Sequence, residues 1–374
     1  MYYQIAWKRL RILIQPLLDY RPTPKMLIII CSCLLLLAII AGSSLLDDFL
    51  ASRDVRKALY TESEDGLKTK APELSSDLDW IETKPQKIGQ ANTKVTVLNF
   101  WNSTCASCLD ANSAVNNWQK KYHQQGLQVI GINVPDFSFE AEKDYIKKSI
   151  KAQNLIFPNA IDLSFETTDE YELGRGSLIV IIDSSGIVRH RSIDAVDLRN
   201  TELVIQELLK DAGVKEEFQV PSGEPTKVQQ SPISIYFGSA DDKAKTSFVG
   251  SDDLSDNKQT YTASPNLRLG EWSIAGTWRR TSEFMQVLSD GEIHTKINGS
   301  RVYVVADPPK NGFIGVSIDG QTNKLAPNVD KDGILDAEGP NLYQLVASRK
   351  KLKNSDLIVA PSDGTKVYQL VVLP

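Results

Sequence analysis

From its N-terminus the chain is polar and basic, turns uniformly apolar between Met26 and Leu46, and becomes charged again from Asp47. The 21 residues MLIIICSCLLLLAIIAGSSLL carry no charge. At ~1.5 Å per helical residue they cross the ~30 Å of a bilayer core, so the pattern predicts a transmembrane helix over 26–46. Lys8, Arg9, Arg11, Arg21 and Lys25 precede it, and Asp47 and Asp48 follow. Positive charge stays on the cytoplasmic side, which leaves residues 1–25 inside and everything after Leu46 outside. A cleaved signal peptide, cut near Ala41 to Ser43, is the competing reading, and the long leader argues against it. Residues 47–71 are charged and polar, as a juxtamembrane linker would be.

Beyond the linker, strand and helix patterns alternate. VTVLNFW (95–101) is β-branched and aromatic and predicts a buried strand, and apolar Leu109, Val115 and Trp118 predict a helix over 107–124. A strand over 127–134, a helix over 140–153, a strand over 178–183 with a Ser-Ser-Gly turn into 187–190, and a helix over 201–209 stopped by Gly213 complete the set. Such alternation describes an α/β layer domain over 72–214. Residues 215–231 are rich in Pro, Gly and charge and read as a second linker. From 232 to 374 the helical period disappears. Short β-type runs at 233–237, 272–278, 302–305, 313–318, 342–346 and 367–372, with Asp-Gly turns at 319, 332 and 363, predict an all-β sandwich of jelly-roll type.

Composition narrows the function. Hydrophobic residues at 41% and charged residues at 24% fit folded domains rather than disorder. A net charge of −5 provides no basic stripe, which argues against nucleic acid as a partner. Cys31 and Cys33 lie in the apolar run, while Cys105 and Cys108 stand alone in the rest of the chain. Four cysteines so placed are no disulfide framework, so the second pair is a local dithiol. His123, His190 and His294 are far from it in sequence, so a zinc site lacks ligands, and Leu109 after Cys108 rules out a haem-attachment motif. The sequence therefore predicts neither metal nor cofactor.

In FWNSTCASC, Cys105 falls where a buried strand gives way to a helix. Unpaired N–H groups and the helix dipole stabilise a thiolate there, lowering a thiol pKa from its free value of about 8.5. Cys105 is then the nucleophile, and Cys108, one turn on, can resolve a mixed disulfide. An inert structural disulfide and half of a metal site are the alternatives for the same spacing.

These residues resemble the TlpA/ResA-like thioredoxin family and, more narrowly, the soluble portion of DipZ-type proteins. The likeness rests on FWNSTCASC (100–108), GINVPDFSFEAEKDYIKKSI (131–150), LIVIIDSSGIVRHR (178–191) and, in the β-rich part, ISIYFG, LRLGEWSIAGTW and NLYQLV. It covers about residues 72–374 and omits the multi-span transporter domain of DipZ-type proteins. The resemblance implies a thioredoxin-like fold and dithiol–disulfide exchange outside the cytoplasm, with protein thiols or disulfides as partners and a membrane electron donor. By family position Trp101 and Thr104 shape the site, Thr104 filling the place many thioredoxins give to Trp. Asp136 or Glu140 could accept the proton of Cys108, with solvated loop acids as the other reading. Ser177 stands where thioredoxins carry a cis-proline beside the redox pair, so Arg175 and Ser177 are the unusual residues expected nearest the dithiol. A cis bond before a non-proline residue costs about 2.5 to 4 kcal/mol, so a trans Gly176–Ser177 peptide is expected.

Other signals are weaker. Asn328, Asp330, Asp332, Asp336 and Glu338 have several spacings of a calcium loop, but Gly339 stands where its bidentate Glu belongs, and an Asp-Gly turn accounts for the same residues. Tyr261, Trp272, Trp278 and Tyr303 read as sandwich core, with stacking on a glycan as the alternative. The module, whose only histidine is His294, is expected to bring no catalytic group. The rival to an oxidoreductase is a redox-degenerate adaptor whose β module binds a protein or glycan partner; a peroxidatic Pro-x-x-x-Thr-x-x-Cys before Cys105 is absent.

Overall fold

A computed structural model describes residues 69–173, 176–193, 197–221, 233–240, 247–250, 253–323 and 325–374. The apolar segment 26–46, its flanks, Arg175 and most of the 215–231 linker lie outside the described residues. Among the described residues no helix is long and apolar enough to cross a membrane. Residues 59–374 make one compact unit that holds two sheets.

The first sheet has strand order β1-β4-β3-β2-β5-β6. Its strands are β1 Asp79–Trp80, β2 Val95–Trp101, β3 Leu127–Asn133, β4 Asn159–Ile161, β5 Leu178–Asp183 and β6 Val188–Ile193. β2, β3 and β4 run parallel, whereas β5 pairs antiparallel with β2 and β6 with β5. Every residue of β2 is buried, as a central strand covered on both faces requires. The strand period of two sends Leu98 and Phe100 into a core with Ile130, Ile132, Val180 and Ile182. Asn99 points to the opposite face, where its amide donates to Asn112 at 2.7 Å on helix α1 (Ala106–Tyr122). Helix α2 (Lys143–Ala152), the short α3 (Glu166–Glu170) and α4 (Leu198–Asp211) complete the layers. The expected thioredoxin-like α/β fold is present, with β1, β4 and α3 added, each too short to leave a periodic signal.

Gly131 on β3 is fixed by a close approach. A Cβ there would lie 2.1 Å from Asn159 Oδ1, the atom that accepts from Trp101 Nε1 at 3.0 Å. Glycine thus lets β4 deliver an acceptor to the end of β2.

The second sheet is all-β, as expected, and its strands form one hydrogen-bonded set of eight. β7 (Ile233–Tyr236), β8 (Gln259–Tyr261), β9 (Trp272–Arg280), β11 (Phe313–Ile318), β12 (Ile334–Asp336) and β14 (Lys366–Leu373) are ordinary in length. β10 runs from Met285 to Asp307 and β13 from Asn341 to Pro361. The sequence shows only the apolar stretches of these long strands, because glycines and charged residues interrupt the rest. Irregular pairing at Gly299 absorbs one such interruption: a Cβ there would meet Leu373 O at 2.6 Å. Tyr261, Trp272 and Trp278 lie in the core of this module, as expected, whereas Tyr303 is buried outside it, against Ala106. At the suspected calcium loop, Asp330 Oδ1 accepts from the backbone N–H of Asp332 and Ile334, closing a turn with Gly333 at φ +83°. No group of three or more metal-ligating side chains occurs among the described residues.

Candidate redox site

β2 ends at Trp101, the loop Asn102–Ser103–Thr104 follows, and Cys105 is the N-cap of α1. Cys105 and Cys108 are joined in a disulfide with their Cα atoms 5.2 Å apart. The backbone N–H of Cys108 donates to Cys105 Sγ at 3.0 Å. An N-cap normally offers oxygen to that orphan donor; here sulfur takes the place, so a thiolate formed on reduction already has a donor aimed at it. The first turn of α1 contains no acidic residue to offset the dipole. Cys108 is fully buried and Cys105 only partly, so a reactant from outside reaches Cys105.

The loop before Cys105 is held by Glu140. This carboxylate is 0% exposed and takes six hydrogen bonds. One oxygen accepts from the N–H and hydroxyl of Ser103 and the N–H of Thr104; the other accepts from the hydroxyl of Thr104 and the N–H groups of Asp136 and Phe137. Burial pushes the Glu140 carboxyl up to about 7, while the donors from Ser103, Asp136 and Thr104 pull the other way. Asn102 Oδ1 is a second acceptor for the N–H of Thr104 at 3.1 Å and shares its hydroxyl proton with Glu140.

The residues expected at the site sort as follows. Cys105, Cys108, Thr104 and Glu140 come together, and Thr104 is buried as part of the loop rather than displayed beside the dithiol. Glu140 is not a solvated loop acid. Its partners are Ser103 and Thr104 in the loop and the backbone N–H groups of Asp136 and Phe137, just ahead of the turn Ser138–Ala141. Asp136 is partly buried, meets Glu140 through its backbone, and accepts from the Tyr236 hydroxyl at 3.4 Å. Trp101 is fully buried and anchored to Asn159. Ser177 is fully buried, immediately before β5, whose Leu178 pairs with Phe100. Among the described residues no peptide is cis, and Gly176 has φ +111°.

Sequence reasoning missed Ser103, the chain of amides from Asn99 through Asn112 to Gln153, and every contact from the second sheet. Ala106, just after Cys105, packs with Tyr303, Val371 and Leu373, and Asp110 binds Arg301. Partners this distant in sequence leave no local signal.

Comparison with known proteins agrees with this division. Residues 67–191 match the AhpC/TSA family, and residues 234–371 match the family described as a thioredoxin like C-terminal domain. Protein DipZ of Mycobacterium bovis is 26% identical over 308 residues, 80% of this chain and 42% of DipZ. The chain thus spans about two fifths of that relative's length. The thiol-disulfide oxidoreductase YkuV of Bacillus subtilis is 25% identical over 148 residues, 39% of this chain and 97% of YkuV. The thiol-disulfide oxidoreductase ResA of Bacillus cereus is 24% identical over 128 residues, 34% of this chain and 71% of ResA. With its dithiol at the head of α1, a first part that matches the AhpC/TSA family and a second that matches the thioredoxin like C-terminal domain, the chain is similar to TlpA/ResA/DipZ-like proteins.

Proposed function

We propose that this protein is a thiol–disulfide oxidoreductase, anchored in a membrane by residues 26–46 and acting outside the cytoplasm on protein thiols or disulfides, with a membrane donor or acceptor of electrons. Residues 72–214 carry the exchange, and residues 232–374 form a sandwich-type module that brings no catalytic group.

The observation that carries the reading is the seat of the Cys105 sulfur: it caps a helix, receives the Cys108 N–H and is the more exposed of the pair. In the reducing direction the Cys105 thiolate attacks one sulfur of a substrate disulfide and displaces the other as a thiolate. The Cys108 thiolate then attacks Cys105 Sγ, releases the second substrate thiolate and leaves the Cys105–Cys108 disulfide, two electrons having passed to the substrate. Asn102 and Leu98 stand where a peroxidatic motif ending at Cys105 needs Thr and Pro, which favours exchange over peroxide reduction.

Thiol trapping tests the chemistry. Cys108→Ser is expected to accumulate mixed disulfides on Cys105, and Cys105→Ser to form none. A wild-type pair that neither oxidises nor reduces across buffers of graded potential would refute the reading in favour of an adaptor. For the topology, protease added to right-side-out vesicles is expected to remove both folded parts; protection until the vesicles are lysed would place them in the cytoplasm instead.

A further inference from the structure

Two contacts tie the second sheet to the dithiol. In the first, Ala106 is 2% exposed and packs with Tyr303, Val371 and Leu373, while Arg301 donates to both carboxylate oxygens of Asp110 at 3.0 and 2.6 Å. In the second, Phe137 packs on Tyr368 with ring centroids 5.0 Å apart, and the N–H and hydroxyl of Ser138 donate to the two oxygens of Glu283 at 2.8 and 2.7 Å. Phe137 and Ser138 lead directly into Glu140, which fixes the loop before Cys105. The module therefore bears on the residue after the reactive cysteine and on the turn that supports the residues before it.

Exchange depends on access to the attacked sulfur. Cys108 is closed off completely, so any reactant must come to Cys105, where the neighbouring residue is already covered by the module. A slender group can reach such a sulfur; a broad, rigid surface cannot settle around it without displacing the module.

We propose that the C-terminal module is the specificity wall of the dithiol, admitting thiols and disulfides on small molecules or narrow extended segments and turning away those set in broad folded surfaces, with Arg301 and Glu283 as the ties that hold it closed. The inference rests on the redox reading above.

The test uses the full chain in detergent, reduced with dithiothreitol and freed of it, then mixed either with oxidised glutathione or with folded insulin. Oxidation of the Cys105/Cys108 dithiol is followed by thiol trapping; each turnover converts one substrate disulfide to two thiols. The wild type is expected to oxidise at least about tenfold faster with glutathione than with insulin at equal disulfide concentration. Arg301→Ala/Glu283→Ala should raise the insulin rate about tenfold, a barrier change of ~1.4 kcal/mol, and leave the glutathione rate within about twofold. Arg301→Asp/Asp110→Arg, which restores a reversed ion pair, should return selectivity toward the wild-type value.

Wild-type rates with the two disulfides within about threefold of each other overturn the proposal without recourse to any variant. So does an unchanged rate ratio in a folded Arg301→Ala/Glu283→Ala protein, folding being checked by near-ultraviolet circular dichroism. If the reduced wild type oxidises with neither disulfide, the redox reading fails and the wall with it; selective loss of this inference alone leaves exchange intact.

Discussion

Arg301 donates to Asp110 through both terminal guanidinium nitrogens, joining the long strand β10 to the helix that Cys105 caps. The two side chains are 32% and 45% exposed, so solvent screens the pair, while its bidentate geometry strengthens it. A double-mutant cycle of Arg301→Ala and Asp110→Ala, read by urea unfolding, is expected to give a coupling of about 1 kcal/mol. The coupling should shrink as salt rises.

Replacing Gly131 by alanine brings a methyl group against Asn159 Oδ1 and strips Trp101 of its acceptor. Overpacking and a broken buried hydrogen bond each cost about 1 to 3 kcal/mol, so Gly131→Ala should lose roughly 2 to 4 kcal/mol of stability. Asn159→Ala in the same background should recover part of that loss, because the clash is removed. Chemical denaturation of the four proteins checks both signs.

Glu140 links stability to pH. Its folded carboxyl titrates near 7, against about 4.3 in an unfolded chain, so between these values the folded protein holds a proton that the unfolded chain has released. Its contribution is therefore fully present below about pH 4.3 and is lost as pH rises through 7. Glu140→Gln should flatten this part of the stability profile, measured by urea unfolding between pH 4 and 8. The substitution should also cost about 2 to 3 kcal/mol near pH 7, since an amide turns N–H groups toward the donors of Asp136 and Phe137.

Ala106→Leu drives three extra carbons into the contact with Tyr303, Val371 and Leu373. It is expected to destabilise the folded unit by about 1 to 3 kcal/mol. Limited proteolysis should then separate the two parts at a lower protease concentration than in the wild type. Equal resistance to cleavage in variant and wild type would show that this contact does not hold the parts together.

The thioredoxin-like part was legible because its signals are local. VTVLNFW declares a buried strand, LIVIID another, and the two cysteines fall where strand meets helix; the structure places these strands at Val95–Trp101 and Leu178–Asp183 and the helix at Ala106–Tyr122. The helix expected from residue 140 starts later, at Lys143, because Glu140 is spent in the turn before it. Thr104 and Glu140 could be named as neighbours of the cysteines, but not their bond to each other, which depends on how two loops meet. The contacts of Ala106 and Asp110 were illegible for a stronger reason: an alanine and an aspartate near the start of a helix look the same whether they face water or another sheet.

Strand β10 changes phase. Up to Ile297 its odd-numbered residues, Ile293 among them, point into the core of the C-terminal module; after the irregular pairing at Gly299 the even-numbered Val302, Val304 and Ala306 do so. That half-step frees Arg301, Tyr303 and Val305 to meet the dithiol-bearing part. A strand running without interruption would point the arginine and tyrosine into the module's own core and turn valines toward the dithiol-bearing part. The same few atoms that let the chain slip by one position at Gly299 thus decide which side of the strand the redox centre meets.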